Sequence, residues 1–287
     1  MRRVSRATTG EAGRMIADAH QRFYDFPDVV RDFKELTTLS PGEAAILAML
    51  QTQIKDQPIL DVGIGAGRTT PYLRELSANY VGIDLSKRMI ESACEKFPDA
   101  TLLEGDAADL SRFRSGEFAA VFFLGAGIDE AKARHRIRIL QETYRVLRPG
   151  GIVVLCVHNL RAREASPWSD FKLLRSSNPG LSIANNIRSL PACCATAFKL
   201  LWIKATKREC SFLTEYEDYE GRRLGEWLPT YYICCCARVR QLQEVGFSKV
   251  EARDRHGHPT DGNARADNFL YYLAYKERKA LQEDKAA

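Results

Sequence analysis

The chain has 287 residues, of which 45% are hydrophobic, and its 42 basic and 37 acidic residues give a formal net charge of +5. This length allows one large domain with insertions, or one domain and a small second one. So mild a charge does not indicate a nucleic-acid partner. The most apolar stretch, residues 190–203, is shorter than the ~20 residues of a membrane-spanning helix, which argues against a membrane partner. Because no signal peptide follows the basic N-terminus, we expect a soluble, cytoplasmic protein.

The N-terminal part, residues 1–57, is predicted to form a helical cap. Apolar residues recur at helical spacing over residues 11–36 and are interrupted by Pro27. Ser40, Pro41 and Glu43 then form a typical helix start, with serine as the N-cap and proline in the first turn. We expect this second helix to continue to about residue 54.

Strand-like and helical segments alternate over residues 58–157. Such alternation predicts an α/β fold, a doubly wound parallel sheet covered by helices on both faces, with ligands at the carboxyl ends of its strands. In the last helix, Lys132, Arg134, Arg136 and Arg138 are predicted to lie on the solvated face. Strands are predicted at 58–62, 79–84, 100–104, 118–124 and 151–157, and helices at 68–76, 86–96 and 129–147.

A glycine-rich turn follows the first of these strands. Residues 61–67 read DVGIGAG, and Asp84 stands at the end of the second strand. Glycines let the backbone approach a ligand closely, and an acid at the tip of the next strand can accept ribose hydroxyls. A dinucleotide fingerprint would need glycine at position 68, where Arg68 stands. The pattern therefore predicts an adenosine-containing cofactor other than a dinucleotide.

This turn resembles the first motif of the class I S-adenosylmethionine-dependent methyltransferases, an acid followed by G-x-G-x-G. Further motifs of that family follow in order: Asp84, then residues 105–107 (GDA) after the third strand, and residues 147–151 (LRPGG) before the fifth. The resemblance implies a Rossmann-like sheet of seven mostly parallel strands and S-adenosylmethionine as the cofactor. It covers residues 58–157, the predicted cofactor-binding core, and more loosely residues 237–276, which lie in the predicted C-terminal part of the core at 231–287.

The resemblance also implies roles for individual side chains in cofactor binding. Asp61 would act on the cofactor's ammonium through the loop or through water, and Asp84 would accept the ribose hydroxyls. Asp106 and Ala107 would contact the adenine edge. Tyr24 could close over the cofactor from the N-terminal helices. The remaining predicted cofactor residues are Gly63, Gly65 and Gly67 beside the methionine part and Leu85 and Met89 beside the adenine.

Residues 158–230 are predicted, by the same resemblance, to form a lid over the substrate that contains a hairpin of strands 209–219 and 224–235. His158, at the mouth of the fifth strand, is either a general base or a histidine that hydrogen-bonds the lid. Tyr232 is a second catalytic candidate, and Asn159 and Tyr231 are candidate substrate contacts. The favoured role for Asp129 is to cap the following helix.

The family resemblance predicts methyl transfer to O or N of a small-molecule acceptor, and the sequence leaves the acceptor, the need for a base and the oligomeric state open. One alternative is a non-catalytic module that binds S-adenosylmethionine. Another is a metalloid or thiol methyltransferase that uses Cys234 and Cys236, which would share one face of a strand. No C-x-x-C spacing is present, so we expect no metal.

Overall fold

The computed structural model describes residues 23–162, 209–217, 223–263 and 267–278. The predicted helix before residue 23 and most of the predicted lid lie outside these ranges. Within the described ranges, no helix combines the length and apolarity that a transmembrane span requires.

Among the described residues before the sheet, the helices with defined bounds are α1 (Pro27–Glu35) and α2 (Pro41–Ile54). Residues 23–24 are helical and the helix breaks before Pro27, which confirms that this proline interrupts the predicted helical segment. Pro27 itself occupies the first turn of α1, where its missing N–H costs no hydrogen bond. The helix start at Ser40 is confirmed: the Glu43 N–H donates to Ser40 Oγ at 3.2 Å and the Ser40 N–H donates to Glu43 Oε2 at 2.8 Å. This capping box satisfies two N–H groups that the first turn leaves unpaired.

The core then alternates as predicted. Its strands are β1 (Ile59–Val62), β2 (Tyr80–Asp84), β3 (Thr101–Glu104), β4 (Phe118–Phe123) and β5 (Leu147–His158), and its helices are α3 (Thr70–Leu76), α4 (Lys87–Lys96) and α5 (Ala133–Val146). The described residues from position 209 onward form β6 (Glu209–Glu217), β7 (Arg223–Ile233), α6 (Cys235–Val245), β8 (Lys249–Arg253) and β9 (Phe269–Tyr275).

Seven strands form one sheet in the order β3-β2-β1-β4-β5-β9-β8, which confirms the predicted fold class. Strands β1 to β5 pair in parallel, whereas β9 runs antiparallel to both β5 and β8. Strands β1 and β4 are buried along their whole length, because helices cover both faces. The chain order reverses between β1 and β4, and ligands of such sheets bind at this switch point.

The predicted helix 129–147 is divided in two. A short 3₁₀ helix covers Gly127–Glu130, and α5 begins only at Ala133. Ala126 adopts a left-handed conformation, with φ of 61°, directly before the short helix. This turn directs residues 127–130 across the carboxyl end of β4, and apolar periodicity alone could not reveal it.

The predicted hairpin is confirmed as the two-stranded sheet of β6 and β7, in which Glu209 pairs with Ile233. Its second strand ends earlier than predicted, since Cys235 already begins α6. The cysteines at 234–236 therefore lie at a helix start and not in a strand. Cys234 Sγ and Cys236 Sγ are nevertheless 3.2 Å apart.

One basic side chain of α5, Arg136, was predicted to lie on the solvated face but is buried. Arg136 is only 4% exposed, and its guanidinium lies 3.3 Å from the centre of the Tyr231 ring. It also donates to the carbonyl oxygen of Ala131 at 2.5 Å. The guanidinium can be buried because an aromatic face and a carbonyl replace part of its hydration.

Candidate active site

A cavity of about 700 Å³ opens at the carboxyl ends of β1, β2 and β4. This volume lies within the range of small-molecule sites in proteins. Seven of the nine residues predicted to bind the cofactor line it: Gly63, Gly65, Asp84, Leu85, Met89, Asp106 and Ala107. The sequence motifs therefore converge on one site.

Asp84 is held in a fixed orientation at the tip of β2. The Gly65 N–H donates to its Oδ2 at 2.8 Å, and the Ser86 N–H donates to its Oδ1 at 2.9 Å. Burial raises the pKa of Asp84 above its ordinary value, and these two N–H donors oppose that effect. Each oxygen retains a lone pair that can accept a hydroxyl from the cavity.

Gly63 and Gly67 of the turn differ in the space that a Cβ atom would find at each position. Gly63 has a φ of 72°, and a Cβ added there would meet nothing within 4 Å. Gly67 has a φ of 86°, but its Cβ would come within 2.9 Å of the Phe97 ring. Gly63 thus keeps the cavity open, whereas Gly67 allows the turn to pack against the end of α4.

Asp61 lies beneath the turn and does not line the cavity. Its Oδ2 accepts the Thr69 hydroxyl at 2.6 Å and the Tyr80 hydroxyl at 3.0 Å. Burial raises its pKa to about 6, and the two hydroxyls partly oppose this shift. Because Thr69 does line the cavity, the carboxylate reaches the site through this threonine.

Asp106 pairs with His135, a residue that the sequence analysis did not single out. His135 Nε2 lies 3.0 Å from Asp106 Oδ1, and both side chains line the cavity. Burial disfavours the Asp106 carboxylate, but His135 and the Ala108 N–H outweigh it and lower the pKa of Asp106. The same contact raises the pKa of His135, despite the opposing effect of burial.

A second ion pair in the wall joins Arg68 to Glu43. The guanidinium donates to both carboxylate oxygens, at 2.6 and 2.7 Å, and Glu43 is only 3% exposed. Such bidentate contacts are geometrically specific. This pair fixes the start of α2 to the end of the glycine turn.

Glu130, at the end of the 3₁₀ helix, also lines the cavity. The Tyr24 hydroxyl donates to its Oε1 across 106 positions of sequence. Burial raises the pKa of Glu130 to about 7, although this hydrogen bond opposes the shift. Tyr24 lines the cavity as well, in agreement with the idea that it covers the site. The sequence held no signal for Glu130, since an acid at the end of a predicted helix resembles a surface residue.

Asp129 does not cap a helix, and this prediction was wrong. Its carboxylate is fully buried and accepts the His158 N–H at 2.6 Å and Arg238 Nη2 at 2.9 Å, with His158 Nδ1 at 3.1 Å. The His158 ring lies beside those of Tyr232 and Phe269, with centroids 5.0 and 4.8 Å away. Phe269 lines the cavity, whereas His158 and Tyr232 stand behind it.

The two candidate substrate contacts lie deeper in the protein. Asn159 is fully buried, and its Nδ2 donates to the carbonyl oxygens of Asp267 at 3.0 Å and Gly262 at 3.4 Å. The Tyr231 hydroxyl donates to Glu209. Neither residue lines the cavity, nor do Cys234 and Cys236.

Comparison with known proteins agrees with this geometry. Residues 59–151 match a family model described as a methyltransferase domain. An uncharacterised methyltransferase from Synechocystis is 32% identical over 136 residues, which are 46% of this chain and 63% of that protein. The dTDP-3-amino-3,4,6-trideoxy-alpha-D-glucopyranose N,N-dimethyltransferase of Streptomyces venezuelae is 28% identical over 146 residues, 48% of this chain and 55% of that one. The chain thus covers less than two thirds of either relative.

A solved structure shows the same fold. It is 1,6-didemethyltoxoflavin-N1-methyltransferase from Burkholderia thailandensis with bound 1,6-didemethyltoxoflavin and S-adenosylhomocysteine. The TM-score is 0.52 at 13% identity, over 96% of this chain and 93% of that one. Residues 59–151 therefore match a methyltransferase domain, and the sheet has the fold of the class I S-adenosylmethionine-dependent methyltransferases. The cofactor of this class is S-adenosylmethionine.

Proposed function

We propose that this chain transfers the methyl group of S-adenosylmethionine to an oxygen or nitrogen atom of a small-molecule acceptor. The observation that carries the proposal is the single cavity into which the glycine turn, Asp84 and Asp106 all converge. Two relatives support a nitrogen acceptor by name: the amino-sugar N,N-dimethyltransferase and the didemethyltoxoflavin N1-methyltransferase. Other relatives include an rRNA methyltransferase from Mus musculus, so the relatives do not agree on the acceptor. The proposal of a small-molecule acceptor is therefore based on the size of the cavity.

The lining residues fit the parts of this cofactor. Asp84 would accept the ribose hydroxyls, because its two oxygens are already oriented by the N–H groups of Gly65 and Ser86. Gly63 leaves room for the methionine part, and Asp61 would act on it through Thr69. Asp106 and Ala107 would bind the adenine edge between Leu85 and Met89. The bound cofactor supplies a methyl group that its positive sulfonium already activates.

The protein's part is then to orient the acceptor and exclude water. Apolar and aromatic residues, including Phe33, Phe123 and Phe269, form much of the wall and suit an acceptor with an apolar body. Holding an acceptor in line with the methyl group can supply several kcal/mol of the barrier reduction. The roles of His158 and Tyr232 in catalysis stay predictions: a His158→Ala variant with unchanged turnover would remove His158 from the mechanism.

The proposal is tested by calorimetric titration with S-adenosylmethionine and S-adenosylhomocysteine, with NADH as a negative control. We expect both adenosyl compounds to bind and NADH not to bind. Asp84→Ala should weaken both by roughly tenfold or more, because it removes charge-assisted hydrogen bonds worth about 1.5–3 kcal/mol. The matched control is Asp99→Ala, an exposed aspartate before β3, which should bind like the wild type.

Failure of both adenosyl compounds to bind the wild-type protein would contradict the proposal.

If they bind, turnover is measured as the S-adenosylhomocysteine released in the presence of small amines, phenols and carboxylic acids. Binding without release for every acceptor would favour the non-catalytic module.

A further inference from the structure

Glu130 reaches the cavity from a different element of the fold than the residues assigned to the cofactor. It lies at the end of the 3₁₀ helix beyond β4, whereas the cofactor residues follow β1, β2 and β3. The aromatic side chains of Tyr24 and Phe269 line the cavity with it. A carboxylate beside aromatic rings is therefore available to whatever shares the cavity with the cofactor.

The other carboxylates of the wall have assigned partners. Glu43 is paired with Arg68, and Asp106 is paired with His135. Asp84 accepts two backbone N–H groups and is assigned to the ribose. Within the ranges that the structure describes, no lysine or arginine nitrogen lies within 4 Å of the Glu130 carboxylate.

The groups that face Glu130 are Tyr24, His158, Asp129 and Asp84. Asp129 has its own counter-ion in Arg238, and His158 is bonded to Asp129. Two further acids thus lie near Glu130, and His158, the one cationic candidate among these four groups, already has a carboxylate partner. A positive charge brought into this end of the cavity would be stabilised.

The chemistry that fits this site is a protonated amine. An ammonium can donate a charge-assisted hydrogen bond to Oε2 of Glu130, while the Tyr24 hydroxyl occupies Oε1. The aromatic rings of Tyr24 and Phe269, which line the same cavity, can stabilise a bound cation through cation–π contact. A neutral alcohol would gain much less from a carboxylate in these surroundings.

We propose that Glu130 is the acceptor-binding carboxylate of this cavity and that the acceptor is an amine bound in its protonated form. This inference rests on the proposed function and narrows its acceptor to nitrogen. Glu130 is then also the catalytic base: an N–H bond of the ammonium breaks, its electron pair stays on nitrogen, and the proton forms an O–H bond on Glu130. The neutral nitrogen is the nucleophile: an N–C bond to the methyl carbon would form as the C–S bond breaks, with its electron pair left on the sulfur of S-adenosylhomocysteine. Glu130 later returns the proton to water.

The elevated pKa of Glu130 suits this transfer. Burial raises it to about 7, so the carboxyl can gain and lose a proton near neutral pH. An ordinary exposed glutamate would be a much weaker base. The hydrogen bond from Tyr24 keeps enough carboxylate present to bind the cation.

The test is calorimetric titration of the protein saturated with S-adenosylhomocysteine. The probes are three amines, each paired with the alcohol of the same skeleton: benzylamine with benzyl alcohol, phenylethylamine with phenylethanol, and cyclohexylamine with cyclohexanol. We expect at least one amine to bind roughly tenfold or more tightly than its alcohol, corresponding to about 1.4 kcal/mol. In Glu130→Gln that preference should disappear while the affinity for S-adenosylhomocysteine is retained. Glu75→Gln, an exposed glutamate of α3, is the matched control and should keep the preference.

A second measurement uses the wild-type protein alone. The preference for the amine should fall as the pH is lowered through about 7, because protonated Glu130 no longer attracts a cation. Equal binding of every amine and alcohol pair, or a preference that survives Glu130→Gln, would overturn the inference but leave the cofactor assignment intact. Failure of S-adenosylhomocysteine to bind the wild-type protein would instead overturn the proposed function, and this inference with it.

Discussion

The buried ion pair between Arg238 and Asp129 gives a sharp prediction about stability. Both side chains are completely buried, and Nη2 of the arginine lies 2.9 Å from Oδ1 of the aspartate. Replacing Arg238 with methionine keeps the apolar stem but leaves the carboxylate without this cation. Breaking one side of a buried pair typically costs about 3–5 kcal/mol, because the remaining charge is uncompensated.

The contacts of Asp129 place the expected cost at the lower end of that range. Its other oxygen, Oδ2, still accepts the His158 N–H at 2.6 Å and lies 3.1 Å from Nδ1 of the same residue. We therefore expect Arg238→Met to lower the free energy of unfolding by about 3 kcal/mol. For a chain of this size, that corresponds to a fall in Tm of roughly 6–12 °C.

The assay is urea unfolding followed by circular dichroism, with a thermal scan as a second readout. Arg240→Met is the matched control, because Arg240 lies on the same helix but is exposed, and it should change stability by less than about 0.5 kcal/mol. The double variant Arg238→Met/Asp129→Asn should recover much of the loss, since it removes both charges. A double variant as unstable as the single one would refute the reasoning, because the buried charge would then not be the cause.

Two further predictions concern Glu130 and the glycine turn. The pKa of Glu130 is raised from an ordinary 4.5 to about 7, so the folded state binds more protons between these values and stability falls as the pH rises through them. The free energy of unfolding of Glu130→Gln, relative to wild type, should therefore rise by about 1–2 kcal/mol between about pH 4 and pH 8, a value reduced to allow for partial exposure. Urea unfolding of both proteins at the two pH values checks this. A difference between them that is the same at both pH values would contradict it. Gly67→Ala should lower the free energy of unfolding by about 1–3 kcal/mol through its clash with Phe97. Gly63→Ala should instead mainly weaken S-adenosylhomocysteine binding, and calorimetry beside thermal melts would show whether the two effects separate in this way.

The parts of the fold that could be predicted are those encoded by local pattern. The capping box at Ser40, the alternation that gives β1 to β5, and the spacing of Asp84 from the glycine turn all depend on residues close in sequence. Most of the predicted cofactor residues therefore line the cavity. The fold class followed from the same signals.

The missed features depend on contacts between distant segments. Glu130 meets Tyr24 across 106 positions, and Arg136 is covered by Tyr231 from beyond the predicted lid. The charge pattern of the helix placed Arg136 on the solvated face with Arg134 and Arg138. Such a pattern carries no information about which turn of the helix another strand will cover. Asp129 resembled a helix cap for a similar reason: the break after residue 130 is set by tertiary packing.

The base of the β6–β7 hairpin is held against the core by several side-chain and backbone contacts. Asn159 forms a bridge with Ile233, and the Tyr231 ring lies against the Arg136 guanidinium, with Arg238 5.7 Å from the ring centre. These contacts join the second strand of the hairpin to the end of β5, to α5 and to α6, so they hold the base of the hairpin against the core. A graft that replaces the hairpin with that of a relative should therefore retain Ile233 and Tyr231, together with Glu209, which accepts the Tyr231 hydroxyl.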